Sequence, residues 1–195
     1  MASTIVALIV FLLPLAYSPG PGNMFFAANG ARFGMRATLP ANAGYHLATW
    51  IVTAAIGFGA LAVMTSYPGV FQVLKYMGSV YVLWLAWSLF TSGGQDQASE
   101  ASPAGFGTGA LLLLLNPKAY IIIALMFTQF GGGGHWQLVV VITTVFTLNN
   151  LVAFLAWTAV GDQLALRFRD GVSARRINMA FGITLSAVAV WMAMA

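Results

Sequence analysis

Two proline motifs interrupt long apolar stretches of this chain, and their residue types could form a binding site for an acid group. The first motif runs from Ser18 to Asn23, and the second is Asn116-Pro117-Lys118. A proline inside a helix removes a backbone hydrogen bond and frees a carbonyl, which is costly in lipid. The helix that resumes after each break begins with free amides at the positive end of its dipole. With the charge of Lys118 added, this arrangement suits a carboxylate such as that of an amino acid.

Lys118 is the only charged residue deep within an apolar stretch, and two roles are open to it. It could contact a substrate or take part in gating, or its ammonium could cap the carbonyls freed by Pro117. Asn23 and Asn116 are expected to order the exposed backbone, and a glycine at position 22 lets a substrate approach the chain. The predicted substrate-binding residues are Pro21, Gly22, Asn23, His46, Asn116, Pro117, Lys118 and Asn149.

His46 lies at a similar depth in the next apolar stretch, and imidazole titrates near physiological pH. This residue could bind substrate or carry a proton, or it could only bond a neighbouring helix. Asn149 and Asn150 occupy the corresponding position in the second half of the chain, and adjacent residues on a helix face different directions. One of the two is expected to reach the site while the other bonds between helices.

The composition indicates that these residues belong to a membrane protein. Of the 195 residues, 60% are hydrophobic and 6% are charged, whereas a soluble domain carries about 25% charged residues. Eight basic and four acidic residues give a net charge of +4. Eight basic residues are too few for a nucleic-acid-binding surface. The chain has no cysteine, and its two histidines lie on different elements, which argues against a hydrolase or a metalloprotease. We therefore expect no enzymatic activity, no cofactor and no metal site.

Six apolar stretches predict six transmembrane helices, because each approaches or exceeds the roughly 20 residues that a helix needs to cross the bilayer. Turn residues separate these stretches at 32–34, 66–69, 92–103, 131–134 and 161–173. The six predicted spans are Thr4–Gly30, Thr38–Met64, Val70–Thr91, Gly105–Phe130, Trp136–Val160 and Ile177–Ala195.

The order of motifs repeats in the two halves, which predicts an all-α membrane protein with a 3+3 inverted repeat. Residues 1–91 form the first repeat, 92–104 a polar linker and 105–195 the second repeat, with helices 1 and 4 broken at the proline motifs. Three spans per half is an odd number, so the halves have opposite orientations, as in many transporters. Six arginines fall in the loops opposite the termini, and the positive-inside rule then puts both termini outside the cytoplasm.

Four segments together resemble the LysE/RhtB family of bacterial amino-acid exporters, and the resemblance covers essentially the whole chain. They are the first proline motif, Gly-Ala-Arg-Phe-Gly at 30–34, the run from Tyr81 to Trp87, and the second proline motif with its neighbours at 115–119. The run from Tyr81 to Trp87 is most similar to the cysteine/O-acetylserine exporter branch.

This resemblance implies an inner-membrane exporter of amino acids or their derivatives, driven by the proton gradient. The family commonly has Asp or Asn where this chain has Gly22. Either Asn23 takes over that role, or substrate polarity or ion coupling differs.

Two other functions remain open on the residues alone. One is a passive permease for small neutral metabolites, and the other is a membrane assembly subunit that transports nothing. The expected partners are an amino-acid-like small molecule, protons and the lipid bilayer, without nucleic acid. The identity of the amino acid and the oligomeric state are left open, and a homo-oligomer is compatible with the pattern.

Overall fold

The described part of the chain is entirely helical, which confirms the predicted all-α class. A computed structural model describes residues 2–60, 68–91, 102–131, 135–167 and 171–194, and no strand occurs within these ranges. The helices are α1 (Ala2–Tyr17), α2 (Pro21–Ala55, followed by a π-helical turn at Ile56–Ala60), α3 (Pro68–Thr91), α4 (Phe106–Leu114), α5 (Pro117–Phe130), α6 (Trp136–Arg167) and α7 (Gly171–Met194).

Two short breaks bend the chain sharply, and both lie directly before a proline. The first break, residues 18–20, separates α1 from α2 with a bend of 63°, and the second break, residues 115–116, separates α4 from α5 with a bend of 62°. Proline is favoured as the first residue of a helix, since its missing N–H would have no intrahelical partner there. Each proline therefore starts a helix instead of kinking one.

One helix, Trp136–Arg167, is long and apolar enough on its own to cross a membrane, among the residues that the structure describes. The number of candidate spans rises to three if the bent pair α1–α2 and the bent pair α4–α5 are each counted as one span. The arrangement of six spans in two inverted groups stays a prediction. The boundaries at 1–91, 92–104 and 105–195 also remain untested.

One of the predicted connectors is largely helical, which corrects a sequence-based boundary. Helix α6 continues past Val160 to Arg167, and α7 already begins at Gly171, so most of the connector predicted at 161–173 is helical. The connector predicted at 32–34, in contrast, contains a break: Gly34 is non-helical, with φ of 82° and ψ of 167°, so α2 consists of two helical segments, residues 21–33 and 35–55, that meet at this kink. Of the connector predicted at 66–69 and the linker predicted at 92–104, residues 66–67 and 92–101 fall outside the described residues.

Gly161 was expected to end a helix, but it serves helix packing. It faces the backbone carbonyl of Ala27 on α2, and Gly30 of α2 faces the carbonyl of Thr158 on α6 in return. A Cβ atom on either glycine would overlap the opposing carbonyl. Small residues at such crossings let two backbones approach closely, which is how helices associate without a hydrophobic driving force in lipid.

The crossing of α2 with α4 repeats this reciprocal pattern. Gly44 faces the carbonyl of Phe106, and Gly109 faces the carbonyl of Ala41. Helix α2 thus packs closely against both α6 and α4, and α3 packs against α7. These contacts hold the two breaks at the centre of the helix bundle.

Candidate functional site

Lys118 connects the two breaks directly. Its Nζ atom donates hydrogen bonds to the carbonyl oxygen and the hydroxyl oxygen of Ser18, both at 2.9 Å, and to the carbonyl oxygen of Pro19 at 3.4 Å. Gly20 makes room for this side chain, because a Cβ there would lie 2.9 Å from the Cδ and Nζ atoms of Lys118. Lys118 does cap freed carbonyls, but they belong to the first break and not to its own break at Pro117. The structure therefore brings the two proline motifs together.

Asn116 starts α5 and also reaches a second helix. Its Oδ1 atom accepts the backbone N–H of Lys118 at 3.1 Å, which satisfies one of the free amides of the first turn. Its Nδ2 atom donates to the hydroxyl of Tyr45 at 2.9 Å. Tyr45 is buried, with 2% of its surface exposed, and it lies on α2. No sequence signal distinguishes this tyrosine, beyond its place next to His46.

The start of α2 is tied to α1 through Asn23. The Nδ2 atom of Asn23 donates to the carbonyl of Ala16 at 2.9 Å, so this side chain bridges the first break. The first backbone bond within α2 runs from Met24 N–H to the carbonyl of Gly20 at 2.9 Å. The N–H groups of Gly22 and Asn23 lie before this first bond, so no carbonyl within the helix can accept from them. As predicted, the asparagine orders the backbone at the break.

Gly22 leaves space that an aromatic ring fills. A Cβ at this position would lie 2.6 Å from the ring of Phe154 on α6 and 3.3 Å from the hydroxyl of Tyr45. The Asp or Asn that the resembling family commonly has here would collide with that ring. Phe154 also packs against Tyr45 with 4.7 Å between ring centroids. Sequence reasoning did not identify Phe154, because nothing distinguishes it from the other phenylalanines of the chain.

His46 belongs to a chain of buried polar groups next to the breaks. Its Nδ1 atom lies 2.8 Å from the carbonyl oxygen of Asn42, and its Nε2 atom lies 3.4 Å from Nδ2 of Asn150. A carbonyl can only accept, so Nδ1 donates, and on a neutral ring Nε2 then accepts from the amide of Asn150. The Nδ2 atom of Asn42 continues the chain to the hydroxyl of Thr158 at 3.4 Å. His46 therefore links α2 to α6 within the protein interior.

Of the adjacent asparagines on α6, the structure brings Asn150 to this region. Asn150 contacts His46 and lines the small cavity between the breaks. Asn149, the residue named in the sequence-based prediction, is not among the residues that line the cavity. Its Nδ2 atom is buried without a hydrogen-bond partner among the described residues.

The cavity between the two breaks is very small. Its volume is about 10 Å³, which corresponds to space for about one water molecule. An amino acid does not fit in this conformation, so the helices around it must separate before anything larger enters. The polar residues that line it are Asn23, Tyr45, Asn116, Lys118 and Asn150.

The predicted residues other than Asn149 thus divide into three groups. Asn23, Asn116 and Lys118 line the cavity, and His46 reaches it through Asn150. Pro21, Gly22 and Pro117 are buried in the first turns of the two helices that begin there. Pro21 and Pro117 have no N–H, so the donors at the breaks are the amides that follow these prolines and the ammonium of Lys118, the groups that could face an anion in a widened cavity.

Comparison with known proteins identifies the family of this chain. The model of the LysE type translocator family matches residues 13–195. An uncharacterized membrane protein of Vibrio cholerae is 31% identical over 188 residues, covering 91% of this chain and 90% of the relative.

Two further relatives are named cysteine/O-acetylserine efflux proteins. The one from Salmonella typhimurium is 25% identical over 182 residues, and the one from Escherichia coli K12 is 26% identical over 185 residues; each match covers 92% of both chains. No solved structure gives a significant match. The family resemblance inferred from the motifs is confirmed, and this chain belongs to the LysE type translocator family, as a membrane transport protein and not an enzyme.

Proposed function

We propose that this translocator exports amino acids or amino-acid derivatives across the bacterial inner membrane by alternating access around the two breaks. The observation that carries the proposal is the hydrogen bonding of Lys118 Nζ to the backbone of Ser18 and Pro19. Two of the relatives are named for the efflux of cysteine and O-acetylserine. Both compounds have a free carboxylate, which is the group that a lysine between two helix N-termini would recognise.

The proposed architecture is six spans in two inverted groups of three. The broken spans are α1 with the part of α2 before Gly34, and α4 with α5, while the part of α2 after Gly34 is the second span. The packing of the helices supports this proposal, because it pairs equivalent elements of the two halves. Helices α3 and α7, the last of each half, contact each other, and α2 and α6 contact each other along most of their length. Helix α1 packs on α6 while α4 packs on α2. A two-fold relation between the halves would generate this pattern of contacts.

In the proposed mechanism, the substrate carboxylate competes with backbone carbonyls for Lys118. The ammonium holds the neutral carbonyls of Ser18 and Pro19 in the present conformation. A carboxylate is a stronger acceptor for an ammonium than a neutral carbonyl, because the two opposite charges also attract each other. Binding would release the first break from α5, and the two halves could then move apart.

The size of the cavity couples binding to this movement. A space of about 10 Å³ admits a substrate only in a different conformation of the bundle. A ligand that binds one conformation and not the other shifts the population toward the one it binds. Substrate would therefore select the open state, and its release would allow Lys118 to bond the first break again.

We propose His46 as the proton-carrying group. A protonated imidazole donates from both nitrogens, so Nε2 could no longer accept from the amide of Asn150. Asn150 would have to turn its Oδ1 atom toward the ring, which rearranges the contact between α2 and α6. The interaction is buried, so its loss would favour a different packing of these two helices. Protonation would thus act on the same elements that surround the breaks.

The proposed orientation puts both termini outside the cytoplasm. The kink at Gly34 lies near the C-terminal end of α6, since a Cβ on Gly34 would be 3.6 Å from Oδ1 of Asp162. This contact supports a common side for Arg32 and Arg36, which flank the kink, and for the arginines at the end of α6 and the start of α7. An excess of arginine marks the cytoplasmic face.

Export from cells loaded with O-acetylserine tests the proposal. Lys118→Ala is expected to abolish export, whereas Arg175→Ala, which removes a charge from an exposed position on α7, should leave it unchanged. Export by Lys118→Ala at the rate of the unaltered protein would overturn the site. Collapse of the pH gradient should stop net export; continued export down a concentration gradient alone would instead identify a passive permease.

A further inference from the structure

A second and larger cavity lies beside the first half of α2. Its volume is about 290 Å³, close to the lower end of the roughly 300–1,000 Å³ found for small-molecule sites. The cavity between the breaks, by contrast, holds about one water molecule. The larger cavity is formed where α2, α3, α4 and α7 meet the segment that precedes α4. Its polar and positively charged lining comes from Asn29, Arg32, Ser102 and Thr108.

Arg32 gives this cavity a positive charge, and no acidic partner for it occurs among the described residues. Its Cζ atom lies 5.0 Å from the ring centroid of its neighbour Phe33. Within the described ranges, no acidic side chain forms an ion pair with it. A guanidinium offers five donors in a fixed fork that matches the two oxygens of a carboxylate. A partly buried guanidinium that lines a cavity, and that no acid of the described ranges pairs with, is suited to an anion from outside the chain.

Asn29 adds a donor one helical turn before Arg32. The residue is 7% exposed, and its Nδ2 atom has no hydrogen-bond partner among the described residues. A buried amide without a partner is costly, and most such groups in proteins are satisfied. Residues three apart lie on the same face of a helix, so Asn29 and Arg32 both line this cavity. A single carboxylate could accept from both side chains.

The cavity and the first break lie along the same helical segment of α2. Arg32 follows Asn23 by nine residues on one helix, a separation of about 13 Å at 1.5 Å per residue. Phe25 lies between them, lines the cavity and is 7% exposed. Its ring packs edge-to-face on Phe26, 5.2 Å between centroids. Phe26 in turn packs on Phe154. Aromatic side chains thus separate the larger cavity from the closed space at the breaks.

We propose that this cavity is a loading site, in which Arg32 and Asn29 bind the carboxylate of the exported molecule before it passes Phe25 to reach the breaks. The inference rests on the proposed export function and adds to it the place where substrate first binds. In the proposed orientation Arg32 faces the cytoplasm, which is the side from which an exported molecule enters. The ligand is a small molecule with a carboxylate group. Its other atoms fill the space between Trp84 and Thr108.

Binding to the purified protein tests the loading site separately from transport. O-acetyl-L-serine should raise the melting temperature of the unaltered protein, because a ligand of the folded state stabilises it, and its methyl ester should not. Arg32→Gln should require about tenfold more ligand for the same shift, equivalent to about 1.4 kcal/mol. Arg36→Gln, on an exposed position of the same helix, is the matched control and should behave as the unaltered protein.

The variant Lys118→Ala distinguishes the loading site from the site at the breaks. It should lose export but keep the ligand-dependent shift, since the larger cavity remains intact. Normal export by Lys118→Ala would contradict the proposed function and leave the Arg32 result standing. An unchanged ligand response of Arg32→Gln, or no response of the unaltered protein, would overturn the loading site.

A cavity-filling variant tests the loading site without removing the arginine. If Arg32→Gln does not fold, Ala104→Phe fills the same cavity while keeping the arginine, and it should weaken the ligand response in the same way. An unchanged response would contradict the loading site.

A phosphate of an anionic lipid could also occupy such a site. The measurement is therefore repeated in vesicles of phosphatidylcholine alone and of phosphatidylcholine with phosphatidylglycerol. An effect of Arg32→Gln that appears only with the anionic lipid would assign the cavity to the lipid and overturn the proposal.

Discussion

The ammonium nitrogen of Lys118 lies 2.9 Å from the carbonyl oxygen of Ser18, a residue one hundred positions earlier in the chain. This bond joins the start of α5 to the end of α1. Any movement that separates the two breaks must disrupt it, and Lys118 then needs another acceptor, because an unpaired charge inside a membrane protein is expensive. In the proposed mechanism, this bond therefore makes the conformation of the bundle depend on the presence of a competing anion.

Replacing Gly22 by alanine should destabilise the protein. The added Cβ would lie 2.6 Å from the Phe154 ring, and overpacking of this kind typically costs about 1–3 kcal/mol. Alanine is otherwise the better helix former by about 1 kcal/mol, so a lower melting temperature in detergent would report the collision. Phe154→Leu should restore part of the loss when combined with Gly22→Ala. A melting temperature equal to or above that of the unaltered protein would show that Phe154 does not restrict this position.

Two glycines of α4 should respond in opposite ways to alanine. Gly109→Ala should lower the melting temperature markedly, since its Cβ would overlap the carbonyl of Ala41 on α2. Gly107, two residues earlier, has nothing within 4 Å of a built Cβ. Gly107→Ala should therefore leave stability unchanged or raise it by up to about 1 kcal/mol. Equal melting temperatures for the two variants would contradict the close packing of α2 on α4.

The adjacent asparagines of α6 should differ in their effect on export. Asn150→Ala removes the donor to His46 Nε2 and a residue that lines the cavity at the breaks, so the export rate should fall at least tenfold. Asn149→Ala is the matched control, because Asn149 does not line that cavity and should keep most of the rate. Both are measured at equal amounts of protein in the membrane. Comparable rates for the two variants would count against Asn150 as part of the site.

Replacing His46 should uncouple export from pH. His46→Gln cannot take up a proton, so the dependence of export on an imposed pH gradient should disappear while some downhill flux remains. His135→Gln changes the other histidine, which is exposed and precedes α6, and it should retain the full response. Flux is followed in vesicles with equal and unequal pH on the two sides. A normal response of His46→Gln to the gradient would exclude His46 as the proton carrier.

Local chemistry explains which parts of the site were predictable. The proline motifs identified the starts of two helices, because proline at the first turn and asparagine before it leave few other conformations. Lys118 was predictable as a functional group from its charge in an apolar stretch. The acceptor of its hydrogen bonds was not, since the carbonyls of Ser18 and Pro19 carry no sequence signal.

The remaining site residues depend on packing that the sequence does not encode locally. Tyr45 and Phe154 are two among 6 tyrosines and 14 phenylalanines in the chain. The choice between Asn149 and Asn150 depends on helix rotation, and a helix that is apolar on every side gives no amphipathic pattern to indicate it. Gly161 was expected to be a turn residue because glycine both ends helices and permits their close approach. Only the position of Ala27 on the neighbouring helix decides between these two roles.

The narrow space between the two breaks also has a consequence for the energy supply of the cell. A gap that accommodates about one water molecule interrupts any continuous file of water through this region, and hydrated ions have no passage there. In this conformation the protein thus resists dissipation of the electrochemical gradient across its membrane. Such a seal matters for any transport protein that resides permanently in the bilayer.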